Sequence, residues 1–530
     1  MASAAGSARR GGRAAAAPAP IEDVAQLPVE NHLLLIVGVM AATLLQVLDV
    51  TIANVAIPHM QSTLGATPDT ISWVLTSYII ASAVAMPITG WLADRIGSRR
   101  LFILSVGGFV IASMLCGMAQ NLEEMVICRA LQGVAGAFIA PLSQAAMLDT
   151  TKPSKQSGII ALWGMGVMIG PILGPVLGGW ITENWNWRWV FYVNVPVGAL
   201  CLAILLAELP SRALVKRRFD LFGFAMIATC LSCLQLMLDR GTQLDWFSSF
   251  ETWIYAFLIL TTAWFAVIHF VTAPNPLFDR HLFANVNFVI ALLFMLVIGM
   301  VMFATMALLP PMLQGLFGYD VIDTGMVLMP RGLGVLVSMQ LSGLLMRKGV
   351  DARWMVSLGF LVGAWSLYQM AGWSLAVDYY HLVLSGLIQG LGIGLVFIPL
   401  QATAFATLPP QLRTDGSSLL NLTRSVGSSI GISVMMTLLS RNMQTSHSDL
   451  AGHITPTITS MLDLSALDRF AQYGETGLSL LDGMVTQQAA MVAYVDDFYL
   501  MMWLSIAAIP MVLIMRKSTG PSARPEPPAH

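Results

Sequence analysis

Charge is what this sequence has least of. Asp, Glu, Lys and Arg make up 11% of its 530 residues, against about a quarter in an ordinary soluble domain, which excludes a chain wholly surfaced by water. The charges nearly balance, at a net −2, and give no sign of a nucleic-acid partner. Cysteine is scarce as well. Five residues form no disulfide framework: Cys230 and Cys233 make a CxxC inside an apolar run, where they read as packing, and Cys116 and Cys128 flank one short loop. The eight histidines fall mainly in loops or near helix ends, without metal-ligand spacing, so an enzyme site buried in the membrane lacks its ligands and no cofactor is implied. No cleavable leader is evident; residues 1–32 open on an Ala, Gly, Arg and Pro-rich stretch that reads as a disordered tail, and 517–530 reads as a second tail on the same side.

Hydrophobic residues supply 56% of the chain, gathered in runs of about twenty, each long enough to cross a bilayer as a helix. Runs fall near 33–59, 73–93, 101–119, 124–149, 157–181 and 189–209, then 221–238 and 252–272. Six more lie near 287–309, 323–346, 354–373, 379–407, 416–440 and 497–515. The spacing predicts an all-α polytopic membrane protein with fourteen transmembrane helices. Lys and Arg test the count independently. With the N-terminus inside, 20 of the 27 fall in cytoplasmic segments, four in outer ones and three within spans, as the positive-inside rule requires. One outer segment, 441–496, is long and polar. Its Pro-free stretch from Met484 to Asp497 reads as an outward extension of the last helix.

Motifs stand at fixed places on this map. The loop after the second run reads Gly90-Trp-Leu-Ala-Asp94-Arg95-Ile-Gly97-Ser98-Arg99-Arg100. Gly90 and Gly97 permit close helix approach and a tight turn, while Asp94, Arg95 and Arg99 make a charged latch. A weaker echo, Gly343 to Gly349 with Met346 in the acidic place, follows the tenth run and implies two six-helix halves related as repeats. The halves are then 33–210 and 281–516, with 211–280 inserted between them. In the fifth run, Gly166, Gly170, Gly174 and Gly178 recur every fourth residue, a smooth face for another helix; Pro171 and Pro175 remove backbone donors.

Asp49 is the only acidic residue well inside any of these runs, and an intramembrane acid is a functional candidate by default. Placed there, it suits a group that binds and releases a proton. Arg129 and Gln132 stand in the fourth run; Arg129 differs from Asp49 in depth by roughly 6 Å at helical rise, a gap its side chain spans. Arg129 is expected to compete with the proton for Asp49, a static ion pair being the alternative. Arg331 and Arg424 lie near mid-membrane without an acid at their depth. With Asn54, Gln132 and Asn421 they are the candidate lining of an electropositive substrate cavity, unless they serve as struts.

These motifs resemble those of the major facilitator superfamily, and the inserted pair makes the chain similar to its fourteen-helix drug:proton antiporters. Residues 90–100 match the signature loop, with Ser98 where a basic residue is frequent. The glycine and proline row resembles the antiporter motif of exporters. The resemblance covers 33–516 and implies a 6+2+6 major facilitator fold working by alternating access, with the proton as coupling ion. In that family the counterpart of Asp94 meets the N-terminus of a helix in the opposite half, where the dipole favours a carboxylate. The chain looks closest to the inner-membrane subunit of tripartite drug pumps of Gram-negative bacteria. That implies hydrophobic substrates, a periplasmic adaptor (membrane fusion protein), an outer-membrane channel, and both termini in the cytoplasm. An importer or facilitator of a small metabolite is the rival reading.

Overall fold

The computed structural model describes residues 25–453, apart from 213 and 216, and residues 475–515. The tails 1–24 and 516–530 and the middle of the long outer segment lie outside the described residues. Hydrocarbon offers no partner for a backbone N–H or C=O, so each apolar run closes its own hydrogen bonds as a helix. In chain order these are α1 (His32–Leu64), α2 (Trp73–Ile96), α3 (Ser98–Met118), α4 (Leu122–Asp149), α5 (Gln156–Asn184) and α6 (Trp189–Glu208). An inserted pair follows, α7 (Leu221–Arg240) and α8 (Phe250–Thr272). The second half comprises α9 (Val286–Gly315), α10 (Val321–Arg347), α11 (Ala352–Ala371), α12 (Tyr379–Ala406), α13 (Arg413–His453) and α14 (Glu475–Ala508).

Thirteen of these are long and apolar enough to cross a membrane by themselves. The other, α11, carries Arg353, Ser357, Ser366 and Gln369, yet it packs between α12 and α14 and completes the fourteen. Short polar side chains start the helices: Asn121, Asp220, Ser249, Asp320, Asp351 and Asp378 each accept from a backbone N–H two or three residues on, satisfying donors that have no partner within the helix.

Two helices overrun the expected ends. Helix α13, expected to stop near 440, continues to His453, because Arg441 to Leu450 contains neither Gly nor Pro. Helix α14 starts at Glu475 rather than 484. At 41 and 34 residues they are about 61 and 51 Å long, roughly twice the hydrocarbon thickness. They pack on each other and are pinned by His447 Nε2 against Asp482 Oδ1 at 3.0 Å. The described parts of segment 441–496 are therefore a two-helix projection, not the single extension expected.

Helices α1 to α6 pack among themselves, as do α9 to α14, and the halves meet where α5 crosses α10 and α12 and where α13 crosses α2 and α4. Helix α7 lies against both α2 and α13. Helix α8 packs on α7, and its remaining surface exposes Trp253, Phe257, Leu260, Trp264 and Val271, a face suited to lipid. The end of the molecule that holds residues 90–100 and 343–353 is called the basic end below, and the opposite one the far end.

Candidate functional site

The centre of the first half is a buried polar knot. Asp49 on α1 and Arg129 on α4 are both fully buried and form an ion pair of 2.7 Å. The remaining oxygen of Asp49 accepts from Gln132 Nε2 at 2.8 Å and Asn194 Nδ2 at 2.7 Å. Arg129 is held from several sides. Its Nη1 also donates to Gln132 Oε1 at 2.7 Å, its Nε donates to the Val74 carbonyl at 3.2 Å, and its guanidinium lies 4.6 Å from the Tyr78 ring and 5.6 Å from that of Phe191. Asn194 donates in turn to Ser113 Oγ at 2.9 Å. Five helices thus converge on one carboxylate. Sequence reasoning placed Asp49, Arg129 and Gln132 but missed Asn194 and Ser113, whose only signal is a polar side chain in an apolar run. Gln132, expected in a substrate cavity, belongs to this knot and is fully buried.

The glycine row of α5 is what lets α1 sit so close. A Cβ on Gly170 would lie 2.7 Å from Val47 Cγ1 and 3.1 Å from the Leu48 nitrogen, and one on Gly178 would lie 3.2 Å from the Ile52 carbonyl oxygen. Gly166 and Gly174 press on Met40 and Thr51. Pro171 and Pro175 stay inside an unbroken helix, and Thr51 Oγ1 donates to the carbonyl of Gly170 at 3.3 Å. The row therefore seats the helix that carries Asp49.

At the basic end the two halves are latched. Arg217, in the connector before α7, donates from one nitrogen to Asp94 at 3.1 Å and to Asp415 at 3.0 Å. Asp94 ends α2 in the first half, whereas Asp415 opens α13 in the second. Burial works against the charge of Arg217, but the carboxylates of Asp415 and Asp94 hold its guanidinium above the usual arginine range. This corrects the expected geometry: the described partner of the Asp94 carboxylate is an arginine that bridges it to α13, not a helix terminus. Gly90 is small because the Asp415 carboxylate lies directly against it. Gly97 turns the chain at φ 95°. Arg95 stacks over Trp91 at 5.4 Å, and Arg99 donates to the Leu206 carbonyl at 2.6 Å. Beside this bridge, Asp149 of α4 takes Arg212 and also Arg413, the latter at 3.2 Å.

Deeper in the same seam, Gln144 of α4 joins Gln401 of α12 and Ser417 of α13, and Asn421 Nδ2 approaches its oxygen at 3.4 Å. Asn421 is therefore part of the closure between halves. Arg424 donates to Asn421 Oδ1 at 3.2 Å, and Arg331 to the Met302 carbonyl at 3.0 Å; neither forms an ion pair among the described residues. Asn54 is exposed on α1. The five residues expected to line one cavity are thus distributed over four settings in this closed-basic-end conformation. Asp49 is also not the sole buried acid: Asp149, Asp415 and Asp497 are each at most 2% exposed, and they escaped the sequence reading because they lie near the ends of apolar runs.

Residues 39–432 match the family model described as Major Facilitator Superfamily. The multidrug export protein EmrB of Escherichia coli (strain K12) is 36% identical over 81% of this chain and 85% of its own length. The fatty acid resistance protein FarB of Neisseria gonorrhoeae is 34% identical over 90% of this chain and 94% of its own. Among solved structures, the proton:xylose symporter XylE superposes with a TM-score of 0.58 at 13% identity, covering 90% of this chain and 94% of that one. A fourteen-helix bundle with a buried Asp–Arg knot, matched in sequence over most of its length by such relatives, is a multi-pass membrane transporter of the major facilitator superfamily, of the EmrB type.

Proposed function

We propose that the chain is a proton-coupled antiporter that exports hydrophobic drugs or weak-acid amphiphiles by alternating access. In this reading the basic end faces the cytoplasm with both termini, in a cell inner membrane. The observation that carries it is the fully buried Asp49–Arg129 pair. Protonating Asp49 removes the charge that compensates Arg129, and an uncompensated charge in such a place costs several kcal/mol. Gln132, Val74 and two aromatic faces keep the guanidinium where it is, so the cost is relieved by rearranging α1 against α4. A proton arriving from the far end thereby favours one conformation, and its release toward the cytoplasm favours the other.

Substrate charge follows from the second half. Arg331 and Arg424 have no acidic partner among the described residues, and a charge in a poorly polarisable setting acts strongly on any ion nearby. When the halves part, these groups favour an anionic head, and the 33 methionines of the chain include many that adapt to varied apolar bodies. The name of FarB, a fatty acid resistance protein, agrees with such a substrate class. In inverted vesicles with an acid interior, hydrophobic weak acids and neutral amphiphiles are expected to accumulate inside, ahead of quaternary ammonium dyes. Arg331→Gln and Arg424→Gln are expected to weaken acid transport several-fold more than neutral transport. Movement of substrate in the opposite direction would favour the importer reading, and dyes as best substrates would make the arginines struts.

The projection of α13 and α14 supports a partner outside the membrane, which the reading takes to be a periplasmic adaptor leading to an outer-membrane channel. Replacing residues 445–480 by a short linker is expected to leave vesicle transport unchanged while removing resistance of whole cells. Unchanged resistance would contradict docking at this projection.

A further inference from the structure

A second carboxylate is buried where the Asp49 mechanism does not use it. Asp497 lies on α14 and is 1% exposed. Neither of its oxygens meets a hydrogen-bond donor among the described residues. Its helix neighbours Tyr494, Phe498 and Met501 belong to a buried apolar cluster to which α9 contributes Leu309 and Met312, α11 contributes Met370 and Trp373, and α13 contributes Met435. The titratable groups that act on it are Asp496 beside it and Tyr494 one turn earlier on its own helix; the polar Thr305 Oγ1 of α9 meets α14 one turn further on, at Met501 Sδ. An ionised carboxylate without a donor in such a place is so costly that the group is accommodated as the neutral acid. Nothing in the fold calls for an acid there, since an apolar side chain fills the same space without that cost.

We propose that Asp497 is a proton-binding group of the far end, which holds its proton while the basic end is closed and exchanges it with far-side water when the second half rearranges. The step is a simple protonation: the carboxylate takes one proton from the far-side medium, becoming a carboxylic acid, and later returns that proton to water on the same side. Helix α14 is suited to transmit the change, because it packs against α9, α11 and α13 together. The role in transport deepens the proton-coupling reading above and rests on it; the protonation itself is read without any transport.

The test is infrared titration of the full-length protein in detergent, following the carbonyl absorbance of protonated carboxylic acids and its shift in heavy water. Wild type and Asp49→Asn are expected to keep a buried acid band near neutral pH that Asp497→Asn lacks. An unchanged band in folded Asp497→Asn, or one lost only in Asp49→Asn, would overturn the proposal. A second variant guards against a purely structural role. Asp497→Leu keeps the branching of the side chain and removes its polar atoms, so it is expected to melt no lower than wild type. Its turnover is expected to lose one step of its dependence on far-side pH, read in vesicles at a fixed pH on the basic-end side. A Leu variant whose far-side pH profile matches wild type would sink the idea, whatever its melting temperature.

Discussion

Asp49→Asn is expected to give a folded protein in which a pH gradient no longer drives substrate against its concentration. Asn has the size of a protonated Asp and cannot ionise, so it fixes one of the two states between which the knot must alternate. The cost to folding is bounded by the neighbours. Removing one partner of a buried ion pair costs about 3–5 kcal/mol when nothing else holds the survivor, but Arg129 keeps Gln132 Oε1 and the Val74 carbonyl. Flux down a substrate gradient should persist, while accumulation falls to that gradient alone. Full proton-driven accumulation by well-expressed Asp49→Asn would remove Asp49 from the mechanism.

Arg217→Ala should have the next largest effect, on the conformational equilibrium and not on substrate contact. Its loss leaves Asp415, which is 2% exposed, with no cation among the described residues and with Asp94 as a like-charged neighbour. Since Arg217 itself is 26% exposed, the penalty is smaller than for a fully buried pair, on the order of 2 kcal/mol. That amount shifts the closed-to-open ratio of the basic end roughly 30-fold. A cysteine placed at Gln144, in a background without the five native ones, is then expected to react at least tenfold faster with an impermeant maleimide added at the basic end. Turnover should fall with little change in substrate affinity, and Asp94→Ala should act in the same direction. Arg217→Lys should recover part of the effect, since an ammonium presents fewer fixed directions for two carboxylates. An unchanged labelling rate in Arg217→Ala would mean that the bridge is incidental to closure.

The architecture was legible because a bilayer leaves few choices. Apolar length set the spans, and the asymmetry of Lys and Arg set their number and order. Asp49 and Arg129 were legible for the same reason, since a charge in such a run has to be matched by something. What the sequence hid were partners brought together by tertiary packing. Arg217 resembles any other basic residue of a loop until its contact with both halves is seen. Asn194 and Gln144 are single amides in apolar or small-residue runs. Asp497 stood at the margin of a hydropathy window that began only there, because α14 starts 22 residues earlier, at Glu475. Helix ends were misjudged where polar helix formers continued a span into water, as in α13 between Arg441 and His453.

The central claim is that substrate and proton exchange at the Asp49 knot. It is tested most directly by adding a saturating weak-acid ester or other non-titrating amphiphile to purified protein in nearly unbuffered detergent solution. A pH dye then reports protons released on binding. Wild type is predicted to release protons that increase with substrate until the sites are filled, and Asp49→Asn, binding the same substrate, to release fewer by the share that Asp49 holds. Equal release by the two proteins, or substrate binding by wild type with no release at any pH where transport runs, would contradict the account.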